Sequence, residues 1–523
     1  MKMVKSLLLG TAAGLVAVAG AQAADMPVKA APVQYVKICT LYGDGFYYIP
    51  GTDICLKIGG YVRGEVFYNV GTSGTNLGFA GVSGYKDRFD GSDFLLRTRA
   101  YAWFDSRQQT EYGTLRSYLQ IGVNYDSPLS TTTAFSANRA FIQFAGFTIG
   151  TAQSFFDFYS APASSYFAPP SSDTGDSGWK VFAYTAQYGN GLSATFSFEE
   201  PRHFGTVAPQ AGIYNPQLGN FVLGVNTSDT DRAKVRFPDI VQNWRVDQAW
   251  GSAQLMVAAH DASGGYYAAN NVVAAGSSCA IAATVAGTIT GSETCGHPAD
   301  KLGWAAGGGT RFNFPGGDYF QWQATYAQGA TRYVAVTPAG AFSPVQFQGA
   351  NLGYGLFSDG IFTTQTGEVQ LTTVWGINAA YDHLWLPNFR TSIYGSWMTN
   401  RYNDAANTAI CSAQQQSLAG AITFAPSIAP VAGTVGALPG TSSVAACNNN
   451  FDYWTVGSRT QYNFTPWFYV GFDVIYQKLE TASRDAVVTY NALGGTAKPT
   501  ALYTVQNQDN YGLRIRVHRD IVP

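Results

Sequence analysis

The sequence predicts an all-β fold, a 16-stranded antiparallel transmembrane β-barrel with short periplasmic turns and long external loops. Three observations predict it. Apolar and polar residues alternate with period two over stretches long enough to cross a bilayer at a tilt, about 9–11 residues. The connections between these stretches alternate between short and long. Charged residues make up only 12% of 523 residues, while aromatic residues make up 15%. A soluble domain carries roughly 25% charge, so this chain has too little charge for an ordinary water-facing surface. Its mean hydropathy of −0.04 equally excludes a bundle of apolar helices.

The N-terminus reads as an export signal over residues 1–23. Lys2 and Lys5 give a positive start, Leu7 to Ala19 an apolar run, and Ala21-Gln22-Ala23 a small-residue cleavage site. The run is shorter than the ~20 residues of a spanning helix. Residues 24–55 then form an N-terminal periplasmic segment, and 56–523 the barrel. Without Lys2 and Lys5 the 31 basic residues become 29, against 33 acidic ones. That balance offers nucleic acid no basic surface.

The first strand shows the alternation plainly. Leu56, Ile58, Val62 and Val66 share one parity; Lys57, Arg63 and Glu65 share the other. In a pleated strand these parities face opposite sides. The second has Phe94, Leu96, Ala100 and Phe104 against Asp93, Arg97, Arg99 and Asp105; the third has Leu115, Leu119, Ile121 and Val123 against Arg116, Gln120 and Asn124. The full set of expected strands is 56–70, 92–106, 110–125, 135–145, 147–156, 178–188, 191–200, 236–248, 250–260, 301–313, 318–328, 366–382, 388–401, 451–464, 467–479 and 508–519. Tight turns such as Gly189-Asn190-Gly191, Pro315-Gly316-Gly317 and Thr465-Pro466 sit on one side. Long connections rich in Gly, Ser, Ala, Asn and Thr sit on the other: 71–91, 157–177, 201–235, 261–300, 329–365, 402–450 and 480–507. An even strand number leaves both termini in the periplasm.

A barrel of this size encloses more space than side chains fill, so its interior holds water and the apolar parity faces lipid. Closure satisfies every backbone polar group, as lipid demands. Trp385, Phe389, Phe464, Trp467 and Phe468 near the turns fit an interfacial girdle. The inward parity collects arginine: Arg63, Arg97, Arg99, Arg116 and Arg139 on the first four strands, and Arg459, Arg514 and Arg516 on the fourteenth and sixteenth. Closure sets the last strand beside the first and gathers these into a basic sector of wall. Asp157, Asp173 and Asp176 in the 157–177 connection supply the opposite sign. If that connection folds inward, a transverse field crosses the constriction. Tyr61, Tyr101 and Tyr118 share the inward parity, which leaves open a track of stacked rings for a particular solute. The long loops leave open a role as an adhesin or phage receptor.

Six cysteines in an exported chain suggest disulfides. Fifteen pairings are possible; sequence order favours the local set Cys39–Cys55, Cys279–Cys295 and Cys411–Cys447. No CxxC occurs, and only His297 lies near a cysteine, so a zinc site is not indicated. The histidines at 203, 260, 297, 383 and 518 are scattered. Nucleophile-elbow, HExxH and phosphate-loop motifs are absent, which argues against an enzyme.

The stretch Cys39-Thr-Leu-Tyr-Gly-Asp-Gly-Phe-Tyr-Tyr-Ile-Pro-Gly-Thr-Asp-Ile-Cys55, continuing Leu-Lys-Ile-Gly-Gly-Tyr-Val-Arg63, resembles the opening of the alphaproteobacterial (rhizobial and Brucella-type) porin family. Phe155-Phe156-Asp157-Phe158-Tyr159, then Ala168-Pro-Pro-Ser-Ser-Asp173, and Tyr184-Thr-Ala-Gln-Tyr-Gly-Asn-Gly191 resemble it too. The resemblance covers nearly all of the mature chain. It implies a homotrimer of 16-stranded barrels in the outer membrane, surrounded by lipid and lipopolysaccharide. Each barrel would have an inward third loop, roughly 156–178, and pass small hydrophilic solutes by diffusion without a cofactor. Two features depart from the family: the loops 261–300 and 402–450 are long, and the chain ends Ile521-Val522-Pro523 where an aromatic residue is usual.

Overall fold

Period-two alternation closes into a wall in the computed structural model. The structure describes residues 38–68, 84–85, 94–127, 134–158, 164–167, 178–207, 236–264, 299–335, 345–348, 351–362, 368–416, 422–423, 447–490 and 501–522. Residues 1–23, expected to be an export signal, therefore lie outside the described residues. The chain divides into two compact units, residues 1–57 and 58–523. The first is small. A 3-10 turn at Thr40–Tyr42 leads to Tyr47–Tyr48, which pairs antiparallel with Cys55 and Leu56. The Cys39–Cys55 disulfide closes it with a Cα–Cα distance of 6.0 Å, and Phe46 packs on the bridge.

All sixteen expected strands form. They are β1 Cys55–Tyr68, β2 Phe94–Thr110, β3 Gly113–Ser127, β4 Ala134–Phe144, β5 Phe147–Ala152, β6 Trp179–Gly189, β7 Leu192–Glu199, β8 Asp239–Gln248, β9 Gly251–Asp261, β10 Leu302–Asn313, β11 Tyr319–Gln328, β12 Thr373–Leu386, β13 Phe389–Arg401, β14 Phe451–Thr465, β15 Phe468–Glu480 and β16 Gln508–Val522. Each pairs with the next, and β16 returns antiparallel to β1 from Gly60↔Val522 to Tyr68↔Leu513. The alternation is direct in β9: Leu255 and Val257 are 64% and 41% exposed, while Gln254 and Met256 are 3% and 1%. A soluble sheet would bury the leucine and the valine; here that face meets lipid.

The hairpins follow from turn chemistry. Asn190 and Gly191 both take positive φ, 50° and 72°, between the paired residues Gly189 and Leu192. Two such residues make a turn whose twist matches the strands it joins, and Asn-Gly is the sequence best suited to it. At the same rim Trp385, Phe464 and Trp467 are exposed, and the Phe464 and Phe468 rings lie 5.4 Å apart.

Three details differ from the sequence reading. The expected strand 366–382 begins only at Thr373, because Val369–Leu371 turns aside to pair with Gly360–Phe362. The expected strand 147–156 stops at Ala152. The connection 402–450, read as loop, contains a helix, α1, at Asp404–Gln416. Its basis is local: the Asn403 side chain accepts the Ala406 amide at 2.9 Å, capping a run of alanine and glutamine. Ala406, Ala409 and Ile410 share one buried face of α1 against Leu356, Ile361 and Tyr402. Cys411 bonds Cys447, tying this helix to the foot of β14. Cys279 and Cys295 lie outside the described residues. External connections also pair with one another, as where Asn351–Tyr354 joins Ala501–Val505 in a small sheet.

Candidate functional site: the lumen and its inward loop

Arginine dominates the inner face of β16 and β1–β4, but most of these guanidiniums are engaged. Arg97 binds Asp126 through two nitrogens at 2.6 and 2.8 Å. Arg107 and Arg116 share Asp105, and Arg116 also reaches Gln143. Arg514 and Arg516 share Glu65, at 2.7 and 2.6 Å. Arg99 donates to the Asn124 amide oxygen, Arg139 to the Asn138 carbonyl and Arg63 to His518 Nδ1. Because single carboxylates serve two arginines and other arginines bond neutral acceptors, guanidiniums outnumber carboxylates among the described residues of this face.

Strict parity does not bring Arg139 inward. The outward residues of β4 are Phe135 and Ala137, and alternation alone would put residue 139 with them. A bulge changes this: Gln120 pairs with Arg139 while Ile121 pairs with Ala137, so Asn138 is the extra residue. Asn138 still points inward, accepting from Tyr101 and Ser136. Arg139, opposite Gln120, shares that face.

The connection between β5 and β6 enters the lumen. Its first part is pinned to the near wall. The Phe155 amide donates to Glu199 on β7, Asn243 on β8 donates to the Phe155 carbonyl, and the Phe158 amide donates to Gln323 on β11. Its later part, residues 164–167, is held on the far side. There the Tyr166 amide and the Ser165 hydroxyl donate to Asp473 on β15 at 2.5 and 3.2 Å, and the Tyr166 hydroxyl donates to Gln461 on β14 at 2.8 Å. Ser392 on β13 donates to the Ser164 carbonyl, and Arg514 on β16 to the Tyr166 carbonyl. The Arg516 and Arg459 guanidiniums lie over the Tyr166 ring at 4.0 and 5.6 Å. Burial pushes the Tyr166 hydroxyl well above its ordinary pKa, so it remains a donor. Phe167 packs among Phe67, Leu95 and Ile475. The described parts of the loop are thus anchored to β7–β11 at 155–158 and to β13–β16 at 164–166, with Phe167 against Phe67 of β1 and Leu95 of β2.

The expected charge opposition is only partly assembled. Asp157 does not face the basic wall: it is buried and binds Arg202 at 3.0 Å, both side chains being 1% exposed. Two such charges leave water only when each compensates the other, and Arg202 on the following connection was beyond any strand-parity argument. Asp173 and Asp176 lie outside the described residues. Arg459 departs from the basic sector too, bonding Asp382 on β12 at 2.6 Å, a carboxylate that also receives Arg390 at 3.2 Å. The inward tyrosines do come together. Tyr61 stacks on Tyr101 at 5.6 Å, and Trp103 on Tyr118 at 6.3 Å, with Arg63, Arg99 and Arg116 lying over Tyr61, Tyr101 and Tyr118.

Sequence reasoning missed a second polar cluster at the external ends of β8 and β9. His260, Asp239, Tyr333, Asp359 and His203 converge there from five separate stretches. Each had looked isolated because convergence requires the loops to fold over the barrel mouth.

Comparison with known proteins agrees with the architecture. The chain is 34% identical over 221 residues to Porin Omp2a of Brucella ovis, covering 38% of this chain and 59% of that protein. It is 31% identical over 267 residues to Porin Omp2b of Brucella melitensis, covering 49% and 65%. The matched region thus spans less than two thirds of either relative. The outer membrane channel DcaP of Acinetobacter baumannii shares the fold, with a TM-score of 0.53 at 13% identity over 91% of this chain and 99% of that one. The family model described as Porin subfamily matches residues 25–513. That match runs from the N-terminal segment into β16, and the chain belongs to the porin subfamily of outer-membrane β-barrels.

Proposed function

We propose that the barrel is a passive diffusion channel for small hydrophilic solutes and ions, narrowed where the β5–β6 connection faces the arginines of β1–β4. The observation that carries this reading is the bridge from Tyr166 to Asp473, which anchors that connection across the lumen from its root. The excess of guanidiniums over carboxylates on the facing wall favours anions at the constriction. The half-buried Arg63, Arg99 and Arg116 act through the field they sum to, whereas the Arg97–Asp126 pair, 2% and 12% exposed, also holds the wall together. The barrel sits in the outer membrane with lipid and lipopolysaccharide about its apolar belt, both termini in the periplasm, and assembles as a homotrimer as the family resemblance implies. A stacking track for one solute is less favoured, because guanidiniums already cover faces of Tyr61, Tyr101 and Tyr118.

Single-channel recording in planar bilayers under a KCl gradient tests this. The reversal potential should report chloride preference in the native protein. Arg97→Ala with Arg99→Ala should move it toward potassium and raise the conductance, with a stability loss of about 3 kcal/mol from leaving the Asp126 carboxylate unpaired. Unchanged selectivity in the double variant would make these arginines bystanders and place the constriction at another loop, first of all 402–450.

A further inference from the structure

We propose that His203, His260 and Asp359 form a binding site for a divalent transition-metal ion of the zinc class, one that staples external connections over the barrel mouth. The three residues come from different places. His203 follows β7, His260 ends β9, and Asp359 lies in the β11–β12 connection. One nitrogen of each histidine and one carboxylate oxygen of Asp359 all lie within 4.8 Å of one another. The two imidazoles lie side by side, ring centroids 4.6 Å apart. His260 Nε2 and Asp359 Oδ2 are 3.7 Å apart. Tetrahedral zinc, with bonds of about 2.0–2.1 Å, sets such donors roughly 3.4 Å apart, so capture draws the three donors inward from a set that already lies within 4.8 Å.

The surroundings are built as a metal site's are. His260 is fully buried, and its Nδ1 is 2.7 Å from Asp239 Oδ1. With the proton on Nδ1, the carboxylate fixes the ring and directs the Nε2 lone pair toward Asp359. A carboxylate–histidine pair of this kind orients metal-bound imidazoles generally. His260 Nε2 is buried and makes no hydrogen bond. Asp239 is itself fixed by the Arg202 amide and the Tyr333 hydroxyl, the latter at 2.7 Å. Asp359 is fixed by three backbone amides, those of Phe204, Gly205 and Thr331. Two of those bonds fill Oδ2 and one falls on Oδ1, so the lone pair left for a cation is on Oδ1.

Charge supplies an independent reason. Asp157, Glu199, Asp239 and Asp359 are buried in this region, and Arg202 is the fully buried guanidinium among them. Uncompensated buried carboxylates are costly. A divalent cation offsets two of them. Two imidazoles select the zinc class over magnesium or calcium, which prefer all-oxygen shells. The competing occupant is a proton, making His260 an imidazolium held between Asp239 and Asp359.

The experiment uses the full chain refolded into detergent without lipopolysaccharide, whose phosphates would bind cations themselves, and titrated with cobalt(II) and zinc(II). The expected result is one ion per chain, with the visible absorption of low-coordinate cobalt(II), displaced by zinc. X-ray absorption of the zinc-loaded protein should show two imidazoles in the first shell. His203→Gln should abolish the cobalt spectrum while the barrel still migrates as a folded, heat-modifiable band. Asp239→Asn should weaken binding by roughly 10–100-fold. Native protein that takes up no stoichiometric metal overturns the proposal and assigns His260 its proton. So does a first shell of oxygen alone, or a cobalt spectrum that His203→Gln leaves intact. The measurements on native protein decide even if His203→Gln fails to fold.

Discussion

Opposite halves of the inner wall start from the same alternation and end in different chemistry. On β16 and β1–β4, inward positions carry arginine and tyrosine, and Arg63, Arg99 and Arg116 stay half-buried beside the lumen. On β8–β15, the inward residues near the external ends are Val241, Met256, Ala305, Val374, Met398 and Leu479. All are buried under loop residues such as Phe204, Tyr333 and Phe357. One half keeps half-buried charges that water and shared carboxylates meet, with Arg97, Arg514 and Arg516 the buried exceptions beside Glu65, Asp126 and Tyr166. The other is a dry core in which loops complete the packing. Inward parity alone therefore does not define a pore surface; a residue lines water only where no loop descends on it.

The largest effect should come from removing what separates the two halves. Deleting residues 164–167 takes away the contacts to Asp473, Gln461, Ser392 and Arg514. Conductance in planar bilayers should rise severalfold and lose most of its ion preference. Conductance at the native level would show that this segment does not narrow the pore.

On the dry half, the Cys411–Cys447 bridge closes a loop with a sequence separation of 36. Replacing both cysteines by serine should cost about 4 kcal/mol of local stability by loop-closure entropy. Hydrogen exchange or limited proteolysis at 404–416 reads this loss, while conductance should barely change. A large conductance change would mean that the dry half also shapes the pore.

The smallest effect lies at the periplasmic edge of that half. The Leu384 amide, with the Tyr381 hydroxyl and His383, holds the half-buried Asp318 carboxyl down at about 2, from an ordinary 3.8. A depressed carboxyl pKa stabilises the folded state above about pH 4, and that contribution fades as pH falls through 2. Asp318→Asn should therefore lower the melting temperature slightly at pH 6, with the gap to the native protein closing by pH 2. A gap that ignores pH would show that the charge of Asp318 is irrelevant to the turn.

Much of the barrel was legible. Val62 and Val66 against Arg63 and Glu65, or Asn190-Gly191 between two alternating runs, state strand, face and turn within a few residues. Helix α1 is legible in principle, since Asn403 caps an alanine-rich run, but the Gly, Ser and Asn content of the whole connection masks it. The partners of the arginines were not legible. Glu65 shares parity with Arg63 in its own strand, yet it binds Arg514 and Arg516, residues that become neighbours only on closure.

What the sequence determined by itself was the strand number, the facing of nearly every strand residue and the sign of the basic sector. These depend on pleat geometry, which repeats every two residues and needs no distant partner. Tertiary structure decided where the β5–β6 connection lands, which guanidiniums are neutralised, that a bulge brings Arg139 inward, and that His203, His260 and Asp359 meet. Those outcomes rest on contacts such as Tyr166 to Asp473, 307 positions apart. Such contacts exist only once the ring has closed and its loops compete for the same enclosed space, and no local periodicity encodes which of them succeeds.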